Sequence, residues 1–216
     1  MKVMFNVIPP PLKWVDEKIT RKAYEVANIL KNGEIDTAGI PEVIDETTRG
    51  TRTLTYQPKI DNRMFGNKIR EFLPDINILI YKVTPIITRE EFFQWLETTI
   101  FEYKINQFVF VGGESSKKDY CGLSPIKATE EAKKYKIKIG GVSIFHRKNE
   151  PERLLEKTMA GMEFFISQIV FELENAKRVL EEYWNLCERK RISSCPIYIS
   201  VAPLATIEDY EFIKWL

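Results

Sequence analysis

The stretch Val3-Met4-Phe5-Asn6-Val7-Ile8-Pro9-Pro10-Pro11 decides the fold. Val3 to Ile8 is a short run, nearly continuous in apolar character, and it reads as a first strand covered on both faces. The turn after it separates the two ways of arranging a parallel sheet. A doubly wound dinucleotide-binding sheet needs a glycine-rich turn here, with a row of backbone N–H groups for a phosphate. Three prolines supply no N–H at all, and no GxGxxG is present. The first turn therefore favours a barrel.

The rest of the chain continues that pattern. Further strands are expected at Ile35–Ile40, Ile76–Val83, Gln107–Val111, Ile137–Val142, Phe164–Phe171 and Ile197–Ala202. Their starts recur about every thirty residues, the size of one βαβ unit. Helical stripes fill the intervals: Val15, Ile19, Ala23, Val26, Ala27 and Leu30 form one, and Leu173, Ala176, Val179, Leu180, Tyr183 and Cys187 another. Thr88-Arg89-Glu90-Glu91 reads as a capping box, and Ser124-Pro125 as an N-cap before a proline in the first helical position. Strict alternation implies parallel strands joined by right-handed crossovers. The fold class is α/β, a (β/α)8 TIM-type barrel in a single domain over residues 1–216.

Only seven strand–helix units are legible. Thr206 to Leu216 reads as the start of a seventh helix, so the eighth strand is unaccounted for and two strand edges would be bare. A truncated chain, a covering partner or a shorter closure would each resolve this. The amphipathic pattern of Glu211-Phe212-Ile213-Lys214-Trp215-Leu216 breaks off part-way and favours truncation after the seventh strand.

Bulk properties remove several function classes. The chain carries 32 basic and 31 acidic residues, a net charge of +1 that argues against electrostatic capture of nucleic acid. Three cysteines without CxxC spacing suit a reducing compartment. A single histidine excludes a His-rich zinc site, and a Ser-His-Asp triad could use only His146. No apolar run approaches the roughly 18–20 residues that span a bilayer. The N-terminus lacks the long apolar core of a signal peptide, so a cytoplasmic protein without membrane or metal is expected.

In such barrels the chemistry sits at the C-terminal ends of the strands. Asn6 stands after the first. Glu42 follows the second, at the head of a long loop that includes Asp45-Glu46-Thr47-Thr48-Arg49-Gly50, its charges open to a ligand or simply solvated. Gly112-Gly113-Glu114 follows the fourth, where glycines permit either close approach of a ligand or a tight turn. His146-Arg147-Lys148 follows the fifth, a phosphate anchor or an exposed basic loop. Gln168 interrupts an apolar strand, so it meets either a ligand or a structural network.

Three of these segments together resemble the methylenetetrahydrofolate reductase family. They are Phe5-Asn6-Val7-Ile8-Pro9-Pro10, Val109-Phe110-Val111-Gly112-Gly113-Glu114, and the most specific one, Lys157-Thr158-Met159-Ala160-Gly161-Met162-Glu163-Phe164-Phe165-Ile166-Ser167-Gln168. Val201-Ala202-Pro203-Leu204 is similar to the family's seventh-strand ending. The resemblance implies FAD across the barrel mouth, a folate or related pterin stacked on it, and NAD(P)H or another electron donor. By position it implies Gln168 on the pterin, Lys157 on the FAD ribose–phosphate, Gly112 and Gly113 against the cofactor, and Glu114 beside the flavin ring.

The departures fall at the chemical positions. Asn6 stands where the family has the Glu that acts as general acid, Gly112 where it has an Arg, and Tyr81 where it has a His. An amide supplies no proton at neutral pH, which leaves Glu42 and Glu114 as candidate acids. The leading expectation is an FAD-dependent oxidoreductase passing hydride to a methylene-pterin. The alternatives are a pterin-binding barrel without reductase activity, acting as an accessory or methyl-transfer partner, and an unrelated barrel holding a phosphate compound near Gly112, Gly113 and His146. A homo-oligomer or a partner subunit is compatible with each.

Overall fold

The computed structural model describes residues 3–46, 55–114, 118–207 and 210–211. The elements alternate without exception: β1 (Phe5–Asn6), α1 (Asp16–Asn32), β2 (Thr37–Ile40), α2 (Asn62–Arg70), β3 (Asn77–Val83), α3 (Arg89–Phe101), β4 (Gln107–Val111), α4 (Pro125–Ala132), β5 (Lys138–Ser143), α5 (Glu150–Ala160), β6 (Phe164–Ile169), α6 (Leu173–Lys190) and β7 (Ile197–Ser200). The seven strands lie in chain order, every neighbouring pair parallel. The sheet curls into an open barrel of the TIM type, far enough that Met4 before β1 and Tyr198 on β7 line one cavity.

Two apolar layers explain why the strands read as unbroken hydrophobic runs. Alternate residues such as Ile78, Ile80, Phe108, Phe110, Ile139 and Phe165 pack outward against the helices. The residues between them, Leu79, Val109, Phe164 and Ile166, fill the interior with Met4, Tyr81, Val142 and Tyr198 against them. Interior space is tight at β5: a Cβ on Gly140 would lie 2.4 Å from the Phe164 ring. The outer layer is closed by helix stripes, of which α1 buries Ala23, Val26, Ala27 and Leu30.

The expected caps are present. Thr88 Oγ accepts from the Glu91 amide while a Glu91 carboxylate oxygen accepts from the Thr88 amide, at 3.2 and 2.8 Å. Ser124 caps α4 with Pro125 in the first position. β1 is shorter than the expected Val3–Ile8, ending at Asn6, although the Val7 amide still donates to the Gly39 carbonyl at 2.9 Å. Beyond it the prolines take another partner: Pro10 and Pro58 carbonyls accept from Ile60 and Leu12 amides, tying the return of the β2–α2 loop to the polyproline turn. A proline carbonyl accepts as well as any other.

Neither outer edge, of β1 or of β7, is paired among the described residues. Thr47–Gly50 in the β2–α2 loop, Ser115 and Ser116 after β4, and Phe212–Leu216 of the expected last helix lie outside the described residues. Among the described residues no helix is long and apolar enough to cross a membrane.

Candidate functional site

Asn6 ends β1, and its side-chain oxygen accepts a hydrogen bond from the Tyr81 hydroxyl at 3.0 Å. The two positions where this chain departs from the reductase pattern at its acid and its histidine are therefore joined to each other. They reach across β2, which lies between β1 and β3, and this is possible only because residue 39 is glycine. A Cβ there would fall 2.0 Å from Asn6 Oδ1 and 3.3 Å from the Tyr81 ring. Burial pushes the Tyr81 phenol well above its ordinary value of 10, against a smaller opposing effect of the Asn6 bond. It stays protonated and acts as a donor.

Asn62 fixes this unit from behind. As the first residue of α2 it is buried, and its amide nitrogen donates to the carbonyls of Ile40 and Tyr81, at 3.2 and 3.0 Å. The start of α2 is thereby bound to the C-terminal parts of β2 and β3. Neither Gly39 nor Asn62 stands out in the sequence; the only signal is Asp61-Asn62 as a helix-capping pair.

Gln168 lies at the same end of the barrel, within a bulge. Ile166 is opposite Tyr198 and Ile169 opposite Ser200, so β6 carries one residue more than β7 over that interval. The Ser200 amide donates to Ser167 Oγ at 2.8 Å, which replaces a ladder bond. Bulges re-aim side chains next to binding sites. Gln168 is half-buried, and its amide makes no hydrogen bond among the described residues.

The other candidates are committed elsewhere. Glu42 accepts from the buried Lys82 ammonium at 2.5 Å and from the Val83 amide at 2.7 Å. Strand alternation puts Lys82 on the helix side of β3, opposite Tyr81. Glu42 therefore clamps the end of β3 rather than joining Asn6. The Glu114 side chain is 3% exposed and pairs with Lys118 at 3.0 Å. Gly113 is covered by Tyr120, whose ring would be 2.1 Å from a Cβ, whereas Gly112 opens on space with only Pro125 nearby, at 3.9 Å. His146 is exposed on the β5–α5 loop.

Lys157 is buried between α5 and β5, donating to the Val142 carbonyl at 2.6 Å, with Glu150 at 3.6 Å. Burial lowers its pKa, opposed by the Glu150 charge. Glu150 in turn accepts from the Ile144 amide at 3.0 Å. Together they anchor the root of the loop that carries His146. Of the residues the resemblance assigns to FAD, Gly112 thus presents an open face, while Gly113 and Lys157 are engaged within the protein.

No protein-family model matches the chain, and no curated protein matches it. Solved structures match its fold. An uncharacterized protein from Clostridium thermocellum that binds two copies of 5-methyl-5,6,7,8-tetrahydrofolic acid superposes with a TM-score of 0.81 at 23% identity, over 99% of this chain and 70% of that one. The carboxyl transferase domain of Rhizobium etli pyruvate carboxylase, with pyruvate, gives 0.56 at 10% identity over 99% and 39%. A maltogenic α-amylase from Thermotoga neapolitana gives 0.52 at 10% identity over 89% and 56%. These likenesses establish the barrel fold. They do not place the chain in the methylenetetrahydrofolate reductase family.

Proposed function

We propose that this chain is a folate-binding barrel that holds a reduced pterin such as 5-methyl-tetrahydrofolate at its C-terminal mouth without reducing it. The observation that carries the reading is the hydrogen bond between Asn6 and Tyr81 at the position of the reductase acid. An amide has no proton to give at neutral pH, and a partly buried phenol whose pKa is raised keeps its own. Both side chains can still hydrogen-bond a pterin, whose edge offers donors and acceptors that Asn6 and Gln168 amides match. The likeness in fold to a protein that binds 5-methyl-5,6,7,8-tetrahydrofolic acid supports folate as the ligand class.

A second reading, an FAD-dependent reductase, is favoured by the open face of Gly112 and the buried carboxylate of Glu114. Two titrations of the purified chain separate them. Calorimetry with 5-methyl-tetrahydrofolate is expected to show binding, weakened about tenfold in Gln168→Leu through loss of hydrogen bonds to the ring. NAD(P)H with added FAD and a methylene-pterin is expected to show no turnover. Absence of folate binding would contradict the first reading, and NAD(P)H consumption coupled to methyl-pterin formation would establish the second.

A further inference from the structure

Asn6 is exposed at the end of β1, yet its amide is held in one orientation. The Tyr81 phenol carries one proton and donates it to Asn6 Oδ1 at 3.0 Å. The same oxygen rests on the bare backbone of Gly39, so close that a Cβ there would lie 2.0 Å from it. Turning the amide over would set its N–H groups against the Gly39 methylene. It would also deprive the phenol of its only acceptor among the described residues. The surroundings therefore decide which Asn6 atom is oxygen and which is nitrogen.

This gives the mouth a defined polarity. Asn6 Nδ2 makes no hydrogen bond among the described residues, which leaves its N–H donors for a ligand. The Tyr81 oxygen has spent its proton on Asn6 and offers only lone pairs. A donor and an acceptor thus stand side by side across Gly39, tied by one hydrogen bond. Asn62 holds the strand beneath them, its amide nitrogen donating to the Tyr81 carbonyl at 3.0 Å. A matching ligand edge presents an acceptor to Asn6 and an N–H to Tyr81.

We infer that Asn6 and Tyr81 determine the specificity of the folate mouth, reading the lactam edge of a 4-oxo pterin and rejecting a 4-amino one. This role rests on the folate reading and adds to it the part of the ligand that is recognised. A lactam carries a carbonyl beside an N–H. The carbonyl accepts from Asn6 Nδ2, and the N–H donates to the Tyr81 oxygen. A 4-amino pterin has an amino group and a bare ring nitrogen at the same places, so donor meets donor and acceptor meets acceptor. Sites built around hydrogen bonds discriminate strongly against an analogue that cannot make them, because their own polar groups are left unpaired.

The test compares two ligands that differ only at that edge, 5-methyl-tetrahydrofolate and 5-methyl-tetrahydroaminopterin, by calorimetric titration of the full chain at neutral pH. Wild type is expected to prefer the 4-oxo ligand by about a hundredfold, the effect of two mismatched hydrogen bonds. Asn6→Asp keeps an acceptor for the Tyr81 hydroxyl but replaces the N–H donors with a second accepting oxygen. That variant is expected to lose the preference or reverse it, gaining affinity for the 4-amino ligand. A merely structural role for Asn6 would lower both affinities together and leave their ratio unchanged, which would overturn the inference. Residue 6 is exposed, so thermal unfolding close to wild type certifies the variant, and the wild-type ratio stands without it. Equal affinity of wild type for the two ligands would also overturn the inference while leaving the folate reading intact. A wild type that binds neither would contradict the folate reading and this role with it.

Discussion

A methyl group on residue 39 would lie 2.0 Å from the Asn6 side-chain oxygen, nearer than side chains approach. Gly39→Ala must therefore displace Asn6 and break its bond to Tyr81. Overpacking of this kind costs about 1–3 kcal/mol, read as a lower denaturant midpoint. The double variant Gly39→Ala with Asn6→Ala, which removes the obstructing amide, is expected to recover part of that loss, and simple additivity would contradict the coupling. Lys157 makes a different prediction. Burial holds its pKa below the usual 10.5, so the folded state binds that proton less tightly than the unfolded chain. The penalty of the buried charge is fully present below the lowered folded-state pKa, and it fades as pH rises from there towards 10.5. Wild-type stability, measured against Lys157→Met by chemical denaturation, should accordingly rise across that alkaline window. A constant difference would show that Lys157 has an ordinary pKa.

Helix α2 is capped by Asp61, whose carboxylate accepts from the Arg63 amide at 2.8 Å and from the Arg63 guanidinium. Burial pushes this carboxyl up, but the Arg63 hydrogen bonds and charge outweigh it and hold it below 3.8. Asp61→Ala is expected to cost about 1–2 kcal/mol of stability by urea denaturation, as lost caps do. A carboxyl with a lowered pKa stabilises above its unfolded value and loses that contribution as pH falls through its folded value. The difference between wild type and Asp61→Ala should thus shrink in acid, and a deficit that persists there would contradict the role of the ionised cap. Caps of this kind are legible from sequence when the residue pattern is local, as for Thr88 with Glu91 and Ser124 with Pro125. The shortness of β1 and the bulge at Gln168 were not legible, because both depend on what lies opposite in the neighbouring strand. Gln168 itself stood out, since a lone amide in an apolar run must be satisfied or exposed to a ligand. Glu42 and Lys157 stood out too, but their partners, Lys82 and Glu150, come from pairings across elements that spacing does not reveal.

At the scale of the whole molecule, the alternation of apolar runs and helical stripes was sufficient for the barrel, since parallel strands buried on both faces leave a simple pattern. Which end of the barrel holds which chemistry was only half legible. The sequence pointed to the C-terminal mouth through Asn6, Gln168 and the glycines after β4. The cavity at the other end left no sign in it, because its lining, Asp36, Asn77, Gln107 and Lys138 included, comes from strand starts scattered along the chain. The central claim, a reduced folate seated at the mouth, is tested most directly by a methyl NMR titration with 5-methyl-tetrahydrofolate. Val111 and Val142 lie towards the C-terminal ends of β4 and β5, and their methyl signals should shift and saturate with the ligand. Mouth signals that stay fixed while folate is in excess would contradict the claim.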